Sequence, residues 1–180
     1  MWYFAYGSNL NQRAVTEWCR HYAHRSPNLK GGRAAVLNNY RLCFPIFSEY
    51  FGGGIADIVY DPGKYVQGAI FNLTEIDLAT LDAKVGRKLD PKGKEIGIYK
   101  RVEVKVSPQS KGDSITAITY QGLSVDRLHI PPTQHYMEMI VQGAYSYGLS
   151  MMWVSYLHSF GTQQGRKPRP PGLGDAAPRM

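Results

Sequence analysis

The stretch GGIADIVYDPGKYVQGAIFNLTEIDLATLD, residues 53–82, carries two kinds of hydrophobic periodicity in succession. GIADIVYDPG and YVQGAIFNLT are short, β-branched and aromatic, so each predicts a strand. Between them stands Asp61-Pro62-Gly63, where proline presets φ and glycine supplies a positive φ; this predicts a turn. The pattern then changes to helix. Thr74 is placed to cap it with Asp77 at the third position, Leu78, Leu81 and Val85 make an apolar stripe, and Gly86 fits the stop. Strands followed directly by a capped helix indicate an α+β chain.

The same signals extend outward in both directions. Residues 1–6 predict a strand. Leu10, Ala14, Trp18 and Tyr22 recur at helical spacing, with Asn9 as the expected N-cap and Gln12 three residues later. Residues 32–44 predict one or two strands around Asn38-Asn39. IYKRVEVKV alternates as a half-buried strand does, and SITAITY is a further strand. Helical spacing returns from Thr133 through Tyr136, Ile140, Gly143, Ala144 and Tyr147. A final helix runs from Ser150 through Trp153, Leu157 and Phe160. There is no internal repeat. Five to six strands can remove their edges by closing into a small barrel, although the pattern alone does not force closure.

The chain has 180 residues, 43% hydrophobic and 19% charged, enough for one packed domain. Its net charge of +7 suggests an acidic partner at first sight, but much of the excess lies in GTQQGRKPRPPGLGDAAPRM at the C-terminus. There Arg166, Lys167, Arg169 and Arg179 face Asp175 alone, among prolines and glycines too poor in apolar residues to fold. Residues 1–161 are therefore expected to form the domain and residues 162–180 a solvated tail, with no nucleic-acid arm. Cys19 and Cys43 lack a C-x-x-C arrangement and read as reduced, packed thiols of a cytoplasmic protein. No signal peptide or long apolar run is present, so a membrane role is not expected.

Several motifs lead nowhere. The glycines at 52–54 have no following Gly-Lys-Ser/Thr and read as a flexible lead-in to a strand rather than a P-loop. His21 and His24 lack companion ligands and read as a surface pair, so no metal site is expected. Ser8 is not in a G-x-S-x-G elbow.

The N-terminal stretch YFAYGSNL, residues 3–10, is different. A strand ends on glycine and turns through Ser8 and Asn9 toward a helix. Gly7 lets a ligand approach the backbone, and the first N–H groups of the helix have no internal acceptor. Such a turn suits a carboxylate or a developing oxyanion. The same residues also describe a capped helix start with no further role.

YFAYGSNL resembles the signature of the γ-glutamylcyclotransferase family. The likeness continues through residues 53–82, with Gly-Gly-Ile, Pro-Gly, Val-x-Gly and Leu-Asp in order, and through PPTQHYMEMIVQGAYSYGL, residues 131–149. It implies a small mixed β-barrel with flanking helices and a small-molecule γ-glutamyl substrate. It also implies release of 5-oxoproline by attack of the substrate's α-amino group on its own γ-carbonyl, without metal or organic cofactor. It assigns substrate binding to Tyr3, Tyr6, Gly7, Ser8 and Asn9, with Tyr136 at the pocket wall and Tyr99 as a further candidate. A homodimer is left open.

One landmark is missing. The family's general base is a glutamate in a Leu-Asp-x-x-Glu-Gly stretch; here residues 81–86 read LDAKVG, and Val85 stands in its place. Two carboxylates are candidates for the role. Glu95 lies in an added stretch, RKLDPKGKEIGIY, and reads more simply as an exposed loop charge. Asp57 lies in the GIADIV strand, on a face the pattern leaves undetermined. Asp82 shares a helical face with Val85 but belongs to the family pattern. A slow or altered enzyme and a non-catalytic binding protein are the remaining readings.

Overall fold

The computed structural model describes residues 1–110, 112–123 and 128–164. Five strands form a closed barrel: β1 (Trp2–Ala5), β2 (Arg33–Ser48), β3 (Gly53–Asn72), β4 (Tyr99–Pro108) and β5 (Ile115–Gly122). Their order is β1-β3-β2-β4-β5, with β1 antiparallel to β3 and parallel to β5, so the barrel is mixed. Four α-helices flank it: α1 (Gln12–His21), α2 (Glu75–Val85), α3 (Gln134–Ser146) and α4 (Met151–His158).

The two strands expected within residues 53–72 are one. Both halves of β3 pair with β2, with Asn38 opposite Tyr65 and Tyr40 opposite Tyr60. Residues 61–64 therefore bulge out opposite the single Asn39. Gly63, at φ +82°, donates its N–H to Asn39 Oδ1 at 3.2 Å, and Asn39 itself has φ +63°. Turn chemistry is satisfied here inside a strand, as a bulge that bends a long hairpin. The glycines at 52–54 are also not a flexible lead-in. Gly54 lies so close under the Ile130 carbonyl that a Cβ would collide with it.

α2 follows its sequence signals closely. Thr74 Oγ1 accepts the Asp77 N–H at 3.2 Å, Asp77 Oδ2 accepts the Thr74 N–H at 3.1 Å, and Gly86 closes the helix at φ +70°. α1 starts later than expected. A 3₁₀ turn occupies Ser8–Leu10, and the N-cap is Asn11, which accepts the Ala14 N–H at 3.0 Å. The buried face of α1 is accordingly Val15 and Cys19, with Ala14 and Trp18 half-buried. α3 and α4 begin on Thr133 and Ser150, whose hydroxyls accept the Tyr136 and Trp153 N–H groups.

α3 lies directly on the 3₁₀ turn. Gly143 has no Cβ to strike Leu10, so the helix and the turn touch backbone to backbone. Packing also runs past residue 161: Gln163 bridges to Thr133 and donates its side-chain N–H groups to the Gly52 and Pro131 carbonyls. The rest of the basic tail, from residue 165, lies outside the described residues. Cys19 and Cys43 are buried and are not joined in a disulfide. Among the described residues no helix is long and apolar enough to cross a membrane, and no cluster of His, Cys, Asp and Glu could hold a metal ion.

Candidate active site

β1 delivers Tyr3 and Tyr6 into the interior, and the chain then passes through Gly7 into the 3₁₀ turn. Gly7 has φ −112°, which is not the left-handed region. Glycine is required there by space: a Cβ would lie 3.1 Å from the Ala56 Cβ of β3 and 3.6 Å from the Tyr136 hydroxyl of α3.

That hydroxyl is the centre of a small polar niche. It accepts the Ala56 N–H at 3.0 Å, and Ser8 approaches the same oxygen with both side chain and backbone. Burial pushes the Tyr136 phenol up, against the pull of these donors. Tyr99 donates its hydroxyl to the Ala56 carbonyl at 2.6 Å, so both polar groups of Ala56 are held by tyrosines. Tyr6 donates to the Tyr120 carbonyl at 2.7 Å. Tyr3, Tyr6, Gly7, Ser8, Tyr99 and Tyr136, scattered in sequence, thus converge on one turn.

Asn9 faces inward instead of capping α1. Its Nδ2 donates to the Tyr3 hydroxyl at 2.9 Å, and its Oδ1 accepts from Lys84 Nζ at 2.9 Å. Lys84 comes from the last turn of α2. Burial drives its amine down to about 8, opposed weakly by the nearby Cys19. No carboxylate pairs with it among the described residues.

Two residues earlier, Asp82 is saturated. Its Oδ1 accepts from Arg101 Nε and from the Tyr120 hydroxyl, and its Oδ2 from Arg101 Nη2 and Arg87 Nη1, all at 2.8–2.9 Å. Arg87 continues to Glu95 Oε1 at 2.8 Å, and Arg101 to Glu75 at 2.6 Å. The carboxylates hold both guanidinium groups more firmly protonated than usual.

Glu95 is therefore not an exposed loop charge. The added stretch folds back on itself, with Ile96 and Ile98 N–H groups bonded to the Lys88 and Gly86 carbonyls. Glu95 is partly buried, and its Oε2 has no partner. Asp57 is fully buried. Its Oδ1 accepts the Ile58 and Gly122 N–H groups, both at 2.8 Å. Its charge bears on the Tyr6 and Tyr99 hydroxyls. Val85 is the last helical residue and packs half-buried against the core, between Lys84 and the αL residue Gly86.

Lys84, Tyr120, Arg87 and Arg101 escape sequence reasoning. No motif marks them, and each acquires its place only when α2 and β5 close on β1. A groove of about 450 Å³, lined by Leu10, Asn11, Arg13, Lys30 and Tyr147 among others, begins where the turn passes into α1 and includes none of these buried tyrosines.

Residues 65–157 match the AIG2-like family. The chain is 33% identical over 161 residues to a γ-glutamylcyclotransferase of Bos taurus, covering 87% of this chain and 77% of that protein. Against the Homo sapiens γ-glutamylcyclotransferase it is 33% identical over 153 residues, covering 83% and 72%. A solved γ-glutamyl cyclotransferase superposes with a TM-score of 0.69 at 30% identity, over 91% of this chain and 89% of that one. The chain belongs to the γ-glutamylcyclotransferase family.

Proposed function

We propose that this protein releases 5-oxoproline from a γ-glutamyl amide or γ-glutamyl amino acid bound against the 6–9 turn. The observation that carries the proposal is the Tyr136 niche, where the Ala56 N–H is fixed on one buried oxygen beside Gly7, with Ser8 close by. Donors fixed in advance around one oxygen suit a substrate carboxylate or the oxyanion of a tetrahedral intermediate. Tyr136 would have to yield that place, which makes it a movable wall of the pocket.

The chemistry is intramolecular. The substrate's α-amino nitrogen attacks its γ-carbonyl carbon, the five-membered ring closes, and the amine departs. Holding the substrate folded supplies much of the acceleration, since no second molecule has to be captured. Tyr3, Tyr6, Asn9 and Tyr99 shape the walls that would hold it so. Two buried cysteines not joined in a disulfide support a reducing, cytoplasmic setting for the reaction.

The test is incubation with a panel of γ-glutamyl amino acids and amines, following 5-oxoproline. Release from any one supports the proposal. Val85, which takes no proton, favours a second reading as a binding protein of the same fold. Ligand binding by calorimetry with no 5-oxoproline from any substrate would establish that reading instead.

A further inference from the structure

Position 85 offers no proton acceptor, yet a substrate bound as its α-ammonium must lose a proton before the nitrogen can attack. We infer that the Lys84 amine, held on Asn9 of the substrate-binding turn, is the base that takes it. The inference rests on the cyclotransferase reading above.

Three observations support it. Lys84 Nζ is 2.9 Å from Asn9 Oδ1, and Asn9 is buried within the 6–9 turn, so the amine reaches that turn directly. Glu95 is tied to Arg87 instead, and Asp57, whose charge bears on Tyr6 and Tyr99, accepts the Ile58 and Gly122 N–H groups. Second, among the described residues Lys84 has no carboxylate partner, whereas Arg87 and Arg101 are both tied to carboxylates. The titratable groups that face it are Cys19 from α1, whose thiol burial pushes up, and Tyr3 from β1 behind Asn9; Asp82 on its own helix is taken by the two arginines. Third, burial lowers the amine to about 8, so a sizeable fraction of it is neutral near physiological pH and can accept a proton.

A neutral Lys84 can donate one N–H to Asn9 Oδ1 and keep its lone pair free, so the amide orients the base. Lys84 takes one proton from the substrate ammonium. The freed nitrogen forms the C–N bond to the γ-carbon, and the carbonyl pair moves to oxygen. As that pair returns, the bond to the departing amine breaks. The second proton of the ring nitrogen passes to the departing nitrogen, and the proton on Lys84 leaves with the released amine. The products are 5-oxoproline and an ammonium, and Lys84 is neutral again.

The experiment compares kcat and KM for 5-oxoproline release across pH in the parent protein, Lys84→Met, Lys84→Gln, Lys84→Arg and Glu95→Gln. It adds the Lys84 side-chain NMR titration and calorimetric binding of a γ-glutamyl ligand. In the parent, kcat rises through an apparent pKa near 8. Lys84→Met and Lys84→Gln lose about 10²–10⁴ in kcat and flatten that rise while still binding ligand. Lys84→Arg does not rescue, because a guanidinium holds its proton. The NMR signal missing from Lys84→Met titrates near 8. Rescue by Lys84→Arg with the deficit in KM would make Lys84 a carboxylate anchor and overturn the inference. So would a titration above 10, or loss of the pH dependence in Glu95→Gln but not in Lys84→Met. An active parent with undiminished Lys84→Met defeats this inference alone; an inactive parent defeats it together with the cyclotransferase reading.

Discussion

Asp82 and Lys84 stand two residues apart on the last turn of α2 and live in opposite electrostatic circumstances. Asp82 receives four donors from two arginines and a tyrosine. Lys84 has one neutral amide and a proton it holds weakly. A charge surrounded by counter-charges fixes geometry: it clamps α2 to β4, β5 and the folded-back stretch beyond Gly86. A partly buried amine with no carboxylate partner among the described residues stabilises little and can exchange its proton, which is the behaviour expected of a functional group. One helix end thus carries a clamp and, next to it, a titratable amine on the Ser8–Leu10 turn.

The largest effect should come from breaking the clamp. Asp82→Ala strands two guanidinium groups and the Tyr120 hydroxyl, and should cost about 3 kcal/mol by chemical denaturation, the low end for removing one partner of a buried pair. A cost below 1 kcal/mol would put Asp82 on the same footing as its neighbour.

Next in size is Val85→Glu assayed at pH 6. With an amine near 8, only about 1% of Lys84 is neutral there, whereas a new carboxylate with an ordinary value of about 4.3 is ionised. kcat at pH 6 should rise by up to about 10²-fold, with little change above pH 8. Loss of stability without that gain would mean that Val85 faces only core.

A smaller effect concerns stability against pH. The folded-state pKa of Lys84 lies below its ordinary 10.5, so between about 8 and 10.5 the unfolded chain binds more protons. Stability contributed by this residue must therefore rise with pH across that window, by no more than about 1.4 kcal/mol per pH unit. Lys84→Met should lack this rise, and denaturation midpoints at pH 8 and pH 10 measure the difference. Least of all, truncation after residue 164 should leave the melting temperature nearly unchanged. Truncation after residue 161, which removes Gln163 from the Gly52 and Pro131 carbonyls, should lower it by a few degrees.

Local chemistry was legible wherever the signal and its consequence lie within one turn or one strand. The Thr74–Asp77 capping box, the Gly86 stop and the alternation of β4 all follow from neighbours in sequence. So does the absence of a carboxylate at position 85. Asparagine caps helices equally well from position 9 or 11, and the choice fell to Asn11 because the Asn9 side chain is drawn inside by Tyr3 and Lys84.

The residues 61–63 ask for a turn on any local reading, and they make one. Whether that turn separates two strands or interrupts one depends on the partner, and β2 runs past both halves. Lys84 is the sharper case. In sequence it is one lysine on a polar helix face, with nothing to distinguish it from Lys88 or Lys92. Its lowered proton affinity comes from burial under the distant turn that carries Asn9, which Cys19 of α1 opposes. Side-chain type and spacing fix what a residue can do; desolvation and the partners brought by the closed barrel fix what it does, and those are properties of the tertiary structure alone.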